Sequence, residues 1–500
     1  MQKRANLQTE LMAVLSAKFG FQAFRGEQEA ILLEVLMGGC ALALMPTGMG
    51  KSLCYQLPAA RLQQTGRQIV VVISPLIALM QDQVDKAKKA GIGAIFINSS
   101  LSKEEREQRQ EQLRKGKHQL LFVTPERFRK TEFLETIKTR EVALLAVDEA
   151  HCISQWGHDF RPDYSRLGEF RELLGNPPTL ALTATATPAV QKDILQQLSI
   201  EGHPTFSSGI ERANLALSVH EVYGLDEKIR GMIGLRFQQP GPAIFYFSLI
   251  QSLYKASEEL ARMNIRHWVY HGQLPPDERR RNQREFLNSE EGLILATPAF
   301  GLGVDKPDVR LLVHNEVPNS IESYYQEVGR AGRDGKPSYC HLFFDNDDIS
   351  IQMDFIKWAN PEPEFVRQVY HLIARGGPGL AADGIDFLRS QMNFYNKRDY
   401  RVETSLNLLE RWGCLRESRS RLGFEAIAEP SSEQLTELES KKRVQSGSQK
   451  LLEMVRLAQK TEGCRMLEVY HYFGHQKNSA GQDIEPCGKC DLCLHTTESN

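Results

Sequence analysis

Two short runs, Pro46-Thr-Gly-Met-Gly-Lys-Ser52 and Asp148-Glu-Ala-His151, hold the residue types that bind and split a nucleoside triphosphate. In the first, the backbone N–H groups of Thr47, Gly48, Met49 and Gly50, with the ammonium of Lys51, can cradle the β- and γ-phosphates. The Ser52 hydroxyl can join Asp148 in holding Mg²⁺. Glu149 then stands where a general base polarises the attacking water. The usual phosphate-loop spacing G-x-x-x-x-G-K-[ST] is incomplete, because Met45 occupies its first glycine position. Gly48 and Gly50 still permit the tight turn. With two adjacent carboxylates at the end of the apolar run Val142–Val147, the loop predicts ATP hydrolysis.

A further run, Gln326-Glu-Val-Gly-Arg-Ala-Gly-Arg-Asp334, is predicted to be helical. At that spacing Arg330 and Arg333 share one helix face. From across a cleft they can reach the γ-phosphate, a contribution of roughly 10³–10⁵ in rate for an arginine finger. Gln326 is assigned to the same nucleotide site. The alternative for such a pair is an ordinary surface ion-pair network, which the close-packing glycines argue against.

These groups need a rigid frame. Short apolar runs at 40–45, 69–73, 119–123, 143–147 and 179–182 alternate with polar, helix-patterned stretches such as Lys103–Lys115. That alternation predicts a parallel sheet with helices on both faces. It recurs at 243–247, 266–270, 292–296 and 309–313, so the fold class expected is α/β with two parallel-sheet domains in tandem, spanning 1–205 and 206–350. Ligands of open α/β sheets bind beyond the carboxyl ends of the strands, where the phosphate loop and both carboxylates fall. Beyond them, 361–428 reads as three short helices and a β-hairpin, the outline of a winged helix; a plain helical connector is the alternative. A last module is expected over 440–495.

Composition sets the outer limits. The 500 residues are 41% hydrophobic and 25% charged with a formal net charge of −2, the profile of a globular chain rather than of one that coats nucleic acid with a basic field. The longest apolar stretch, 69–80, is too short to span a membrane, and no signal-peptide core follows the N-terminus. Five of the nine cysteines are scattered, which fits a reducing cytoplasm. The other four, Cys464, Cys487, Cys490 and Cys493, have the spacing of a closed tetrahedral zinc site, although an iron–sulfur cluster also accepts cysteines so spaced. His471, His475 and His495 lie nearby but are not needed, since four thiolates complete the tetrahedron.

Taken together, the order and spacing of these motifs resemble the RecQ family of superfamily-2 helicases, over about residues 7–345 and again over 463–493. The two α/β domains are then expected to be RecA-like. Phe24-Arg-Gly-Glu-Gln28 looks like the family's adenine-reading motif, with Gln28 on the base and Arg25 in support; a carboxamide can both donate to and accept from the adenine edge. The run His151–Tyr164 resembles the family's aromatic-rich loop, which implies that Trp156, His158, Phe160 and Arg161 couple DNA occupancy to the ATPase. Stacking on such rings is worth about 1–3 kcal/mol per base. Segments 74–83, 124–127, 182–187, 270–272 and 296–306 match as well. Asp305, where the family often has Asn, is given no DNA contact. The C-terminal cysteines resemble the family's zinc-binding helical hairpin, implying structural Zn²⁺.

The resemblance implies an ATP- and Mg²⁺-dependent helicase moving 3′→5′ from a 3′ single-stranded tail, in DNA repair or recombination. DNA is the expected partner, with a single-strand-binding protein or repair proteins beside it. The chain is expected to be a monomer, cytoplasmic and associated with the nucleoid. Many members continue past the cysteines into a winged helix with a strand-separating hairpin, whereas this sequence stops soon after Cys493. That leaves open a DNA-stimulated translocase that separates no strands. A non-catalytic nucleic-acid scaffold and an RNA helicase are the remaining alternatives.

Overall fold

The computed structural model describes residues 2–498 apart from 47, 63–65, 76, 99, 155–160, 162, 208, 302–304, 393–398, 419, 440–441 and 478–480. Its larger compact unit comprises residues 1–316, 321–344 and 457–500, and holds two all-parallel sheets. The first contains β1 (Ala41–Leu44), β2 (Gln68–Ile73), β3 (Ala94–Ile97), β4 (Leu120–Val123), β5 (Glu141–Val147), β6 (Thr179–Thr183) and β7 (Thr205–Ser207). Their order is β3-β4-β2-β5-β6-β1-β7. The second is built from β8 (Leu215–Glu221), β9 (Ala243–Tyr246), β10 (Trp268–Tyr270), β11 (Leu293–Ala296), β12 (Leu311–His314) and β13 (Ser338–Phe344), in the order β10-β11-β9-β12-β13-β8.

The sequence dictates this arrangement. Parallel strands covered on both faces read as continuous apolar runs, and every residue of β1 and all of Ile69–Ile73 are buried. Leu42, Leu44, Val71 and Ile73 pack into one core layer, while Ala41, Ala43, Val70 and Val72 pack into the layer on the opposite face. Each large aliphatic so buried contributes about 1.5–3 kcal/mol. Three strands escape that signature, the first being β7, a half-exposed Thr-Phe-Ser at the edge of the first sheet. β8 lies at the sheet edge and alternates buried Leu215 and Leu217 with half-buried neighbours, and β13 carries Cys340 and His341 inside an otherwise apolar run.

The strand order decides where the chemistry falls. β6 lies between β5 and β1, so the loops after all three emerge side by side at one end of the sheet. The helix Leu53–Arg61 follows directly from the phosphate loop, with Ser52 at its N-cap.

The second compact unit comprises residues 317–320 and 345–456. Its helices Pro363–Arg375, Ile385–Met392 and Arg401–Arg411 lead into an antiparallel hairpin of β14 (Leu415–Glu417) and β15 (Phe424–Ala426), with Leu415 opposite Ala426. Val366, Val369, Leu388, Val402, Leu406, Leu409 and Leu415 form its core. This is the helix–helix–helix–hairpin outline of a winged helix, with one more short helix, Pro378–Asp383, that its sequence did not announce. The Arg401–Arg411 helix turns Asn407 and Glu410 to solvent, a polar face without a basic stripe. Among the described residues no helix is long and apolar enough to cross a membrane.

Candidate functional site

The phosphate loop turns at Gly48 (φ +86°) and Gly50 (φ +78°), conformations that L side chains rarely adopt. Space is limiting too: a Cβ on Gly50 would stand 2.7 Å from Gln28 Nε2. Gln28 is buried and donates through that nitrogen to the carbonyls of Met49 (2.9 Å) and Gly50 (3.2 Å). Its Oε1 accepts from the backbone N–H of Arg25 at 2.9 Å. Arg25 itself is exposed. One carboxamide therefore ties segment 24–28 to the loop. Thr47 lies outside the described residues.

At the tip of β5, Asp148 and Glu149 face the loop. Glu149 is one of four described non-glycine residues with positive φ (49°), a strained position of the kind that gathers at functional sites. Its Oε1 is 3.7 Å from Lys51 Nζ, and its Oε2 is 3.4 Å from His151 Nδ1. Lys51 Nζ and Glu149 Oε2 are buried yet make no hydrogen bond, an arrangement that suits an anion and a water not represented among the protein atoms. Burial, and then the charge of Glu149, push the Asp148 carboxyl up to about 6, with Lys51 opposing. His151 Nδ1 also pairs with Thr183 Oγ1 at 2.9 Å. The carboxylate pair is thereby tied to the end of β6.

The second sheet supplies the arginines, but not from a helix. The helix Ile321–Val328 carries Gln326, half-buried, and ends before Gly329. Arg330 and Arg333 occupy successive turns, where Gly332 N–H bonds Val309 O at 3.0 Å and draws the chain away from the helix axis. The two guanidiniums have different nearest neighbours. Arg330 is buried with Nη2 close against Gly301. Arg333 lies over the phosphate loop, its Cγ 3.6 Å from where a Gly48 Cβ would be. Arg333 Nη1 donates to Asp305 Oδ1 at 3.1 Å, and Lys86 Nζ of the first-sheet helix Ile77–Lys89 donates to Asp305 Oδ2 at 2.9 Å. Burial acts to raise the Asp305 carboxyl, but Lys86 and Arg333 outweigh it and hold it below its ordinary value. Sequence reasoning found no role for Asp305, whose bridging depends on a lysine far away in the chain.

Of the predicted coupling residues, Trp156, His158 and Phe160 lie outside the described residues. Arg161 is described: its backbone N–H bonds Cys152 O at 2.9 Å, and its Nη1 bonds Pro75 O at 3.0 Å. It thus joins the chain after the carboxylates to segment 74–83.

The Sγ atoms of Cys464, Cys487, Cys490 and Cys493 lie within 4.8 Å of one another. A tetrahedral ion with bonds of about 2.3 Å separates its sulfurs by about 3.8 Å, so the quartet fits one ion. A multi-iron cluster interposes its own sulfides and spreads the thiolates further. Hydrogen bonds from Cys464 and Cys487 hold the Cys490 thiol far below its ordinary range. Backbone N–H groups of Leu467 and Cys487 point at Cys464 Sγ (3.4 and 3.2 Å), as they do around a thiolate. Among the described residues, no histidine joins the cluster.

Two parallel sheets, with a phosphate loop on one and an arginine turn on the other, define a two-domain helicase core. Residues 25–194 match the DEAD/DEAH box helicase family, 226–335 the helicase conserved C-terminal domain and 429–494 the RecQ zinc-binding family. The chain belongs to the RecQ helicase family. It is 43% identical over 352 residues to ATP-dependent DNA helicase RecQ of Bacillus subtilis, covering 70% of this chain and 58% of that one. It is 38% identical over 369 residues to the probable ATP-dependent DNA helicase RecS of the same organism, covering 73% of each. In fold it is similar to Mycobacterium smegmatis helicase Lhr bound to ssDNA and AMP-PNP, with a TM-score of 0.54 at 20% identity over 87% of this chain and 62% of that one.

Proposed function

We propose that the chain is an ATP-driven DNA helicase that loads on a 3′ single-stranded tail and moves 3′→5′. The observation that carries the motor reading is Arg333, which comes from the second sheet and lies over Gly48 of the phosphate loop on the first. Closure on a triphosphate then joins both halves to one ligand. In this reading Lys51 and the backbone of residues 47–50 bind the β- and γ-phosphates. Ser52 and Asp148 would hold Mg²⁺, which when bound neutralises charge on the phosphate oxygens. Glu149 Oε2 accepts the proton of the attacking water, and its αL backbone keeps it aimed at the loop. Gln28 reads adenine, with Arg25 and Gln326 at the margins of the site. Arg333 exchanges Asp305 for the γ-phosphate, and Arg330, buried behind it, stiffens the turn.

Hydrolysis frees Arg333, so the two sheets part and close once per ATP. The aromatic-rich loop, with Trp156, His158, Phe160 and Arg161, begins within a few residues of Glu149 and can report a bound strand to it. DNA as the partner is supported by the names of the relatives. Polarity and a role in repair or recombination rest on family resemblance, as does action as a cytoplasmic, nucleoid-associated monomer alongside a single-strand-binding protein. The four cysteines would hold Zn²⁺ structurally, with no coordination position left for catalysis.

Strand displacement on 3′-tailed, 5′-tailed and blunt duplexes tests the proposal. ATP-dependent displacement of the 3′-tailed duplex alone is expected. DNA-stimulated hydrolysis without displacement on any substrate would make the chain a translocase instead.

A further inference from the structure

The turn that presents Arg330 and Arg333 is held by a residue of the linker that leads into its sheet. Arg212, in the segment that enters β8, donates through Nη1 to Gly329 O (3.0 Å) and through Nη2 to Ala331 O (2.5 Å) and Gly332 O (3.1 Å). A single guanidinium therefore takes up three carbonyls of the turn that carries the two arginines. Asn214 Nδ2 adds a bond to Gly332 O at 2.8 Å. Such forked donation fixes orientation as well as position, because the five N–H groups of an arginine form a rigid plane.

Arg212 is in turn fixed by the cysteine module. Its backbone N–H donates to the hydroxyl of Tyr470, on the helix Arg465–Tyr472 that starts at Cys464, at 2.9 Å. The next carbonyl, of Ala213, accepts from Lys489 Nζ at 2.6 Å, and Lys489 lies between Cys487 and Cys490. Asp491, beside Cys490, accepts from Val219 N–H at 3.1 Å and from Arg465 Nε at 2.7 Å. Phe473 packs at a tilt against Tyr325, whose hydroxyl donates to Ile210 O. These contacts come from both limbs of the four-cysteine site and converge on residues 210–219.

We propose that Arg212 is a positioning residue for the ATPase, and that the four-cysteine module sets the aim of Arg333 through it by way of Tyr470 and Lys489. The module is thus more than a folding staple. Whatever holds the four thiolates together holds the arginine turn at the distance from which Arg333 covers the phosphate loop. The inference rests on the proposed role of Arg333.

The test uses the full-length, zinc-loaded protein with Arg212→Lys, Tyr470→Phe and Lys489→Met, alone and combined with Arg333→Ala. DNA-stimulated ATPase, zinc content and binding of fluorescent ADP with aluminium fluoride, a mimic of the transferring phosphoryl group, are read on each. Each single variant is expected to keep its zinc and its KM for ATP. Its kcat should fall by about tenfold, and the aluminium fluoride complex should weaken in step, as for an interaction made only in the transition state. On the Arg333→Ala background the same changes should add less than about twofold, because coupled residues are not additive. An unchanged kcat, a full multiplicative loss on top of Arg333→Ala, or loss of zinc in all three variants would overturn the inference. If Arg333→Ala alone hydrolyses ATP normally, the site reading itself fails and takes this inference with it. An impaired Arg333→Ala beside unimpaired Arg212→Lys removes the inference alone.

Discussion

The two halves of the ATP site are held in different ways. The phosphate-loop half is self-contained: β1, β5 and β6 are neighbours, Gln28 braces the loop through Met49 and Gly50, and His151 links Glu149 to Thr183 at the end of β6. The arginine half is held from a distance, since Arg212 is fixed by Tyr470, 258 residues further along the chain. Between the halves stands the carboxylate of Asp305, shared by Lys86 and Arg333. Its exposure keeps each of these ion pairs weak, roughly 0–1 kcal/mol, so a triphosphate can displace it. The lesson is a division of labour: a rigid half that binds nucleotide and a half that must be set in place before it can act.

Breaking the rigid half should have the largest effect. Lys51→Ala is expected to lower ATP hydrolysis by at least about 10²–10³, as removal of one preorganised charge donor does elsewhere, while DNA binding by filter retention stays near normal. Appreciable residual hydrolysis would remove Lys51 from the phosphate site.

Disturbing the distant support should cost less in chemistry and more in folding. Cys490→Ser is expected to lose bound metal and to melt the C-terminal module early, because structural zinc contributes folding free energy directly. Nucleotide binding by the phosphate loop should survive. Normal zinc content in that variant would refute the ligand set.

These contrasts also explain how much could be read in advance. The phosphate loop, the two carboxylates, both sheets and the cysteine quartet were legible because each depends on residues close in sequence or on an apolar run buried on both sides. Arg330 and Arg333 were expected on a helix, but Gly329 and Gly332 end it early and the two side chains have different nearest neighbours. Four strands were missed: β3, an apolar run of only four residues, β7, a half-exposed Thr-Phe-Ser, β8, at a sheet edge, and β13, whose run is interrupted by Cys340 and His341. Arg212 had no signal at all. Glu211-Arg-Ala-Asn214 is an ordinary polar linker, and its meaning arises only when the cysteine module folds against it. Asp305 is a similar case, being half of a bridge whose other end is Lys86.

A smaller effect follows from Asp148. Its folded value of about 6 lies above that of an unfolded aspartate, about 3.9. The raised value favours the protonated form in the fold, so the stability it contributes is present below about pH 4 and is lost as pH rises through 6. Nucleotide-free protein should therefore lose stability over that window, and magnesium with nucleotide should restore it. In the other direction, a protonated carboxyl cannot hold a cation. Affinity for magnesium nucleotide, measured by calorimetry, should fall by up to about tenfold per unit below pH 6. An affinity flat from pH 5 to 7.5 would show that Asp148 is not a ligand.

The most direct test of the division between the halves is Arg333→Ala, with nucleotide binding and single-turnover hydrolysis measured separately on saturating single-stranded DNA. The predicted result is ATP binding within about threefold of the unaltered protein, with hydrolysis slowed by about 10³-fold or more. Hydrolysis at the normal rate, or binding and hydrolysis lost together, would contradict it.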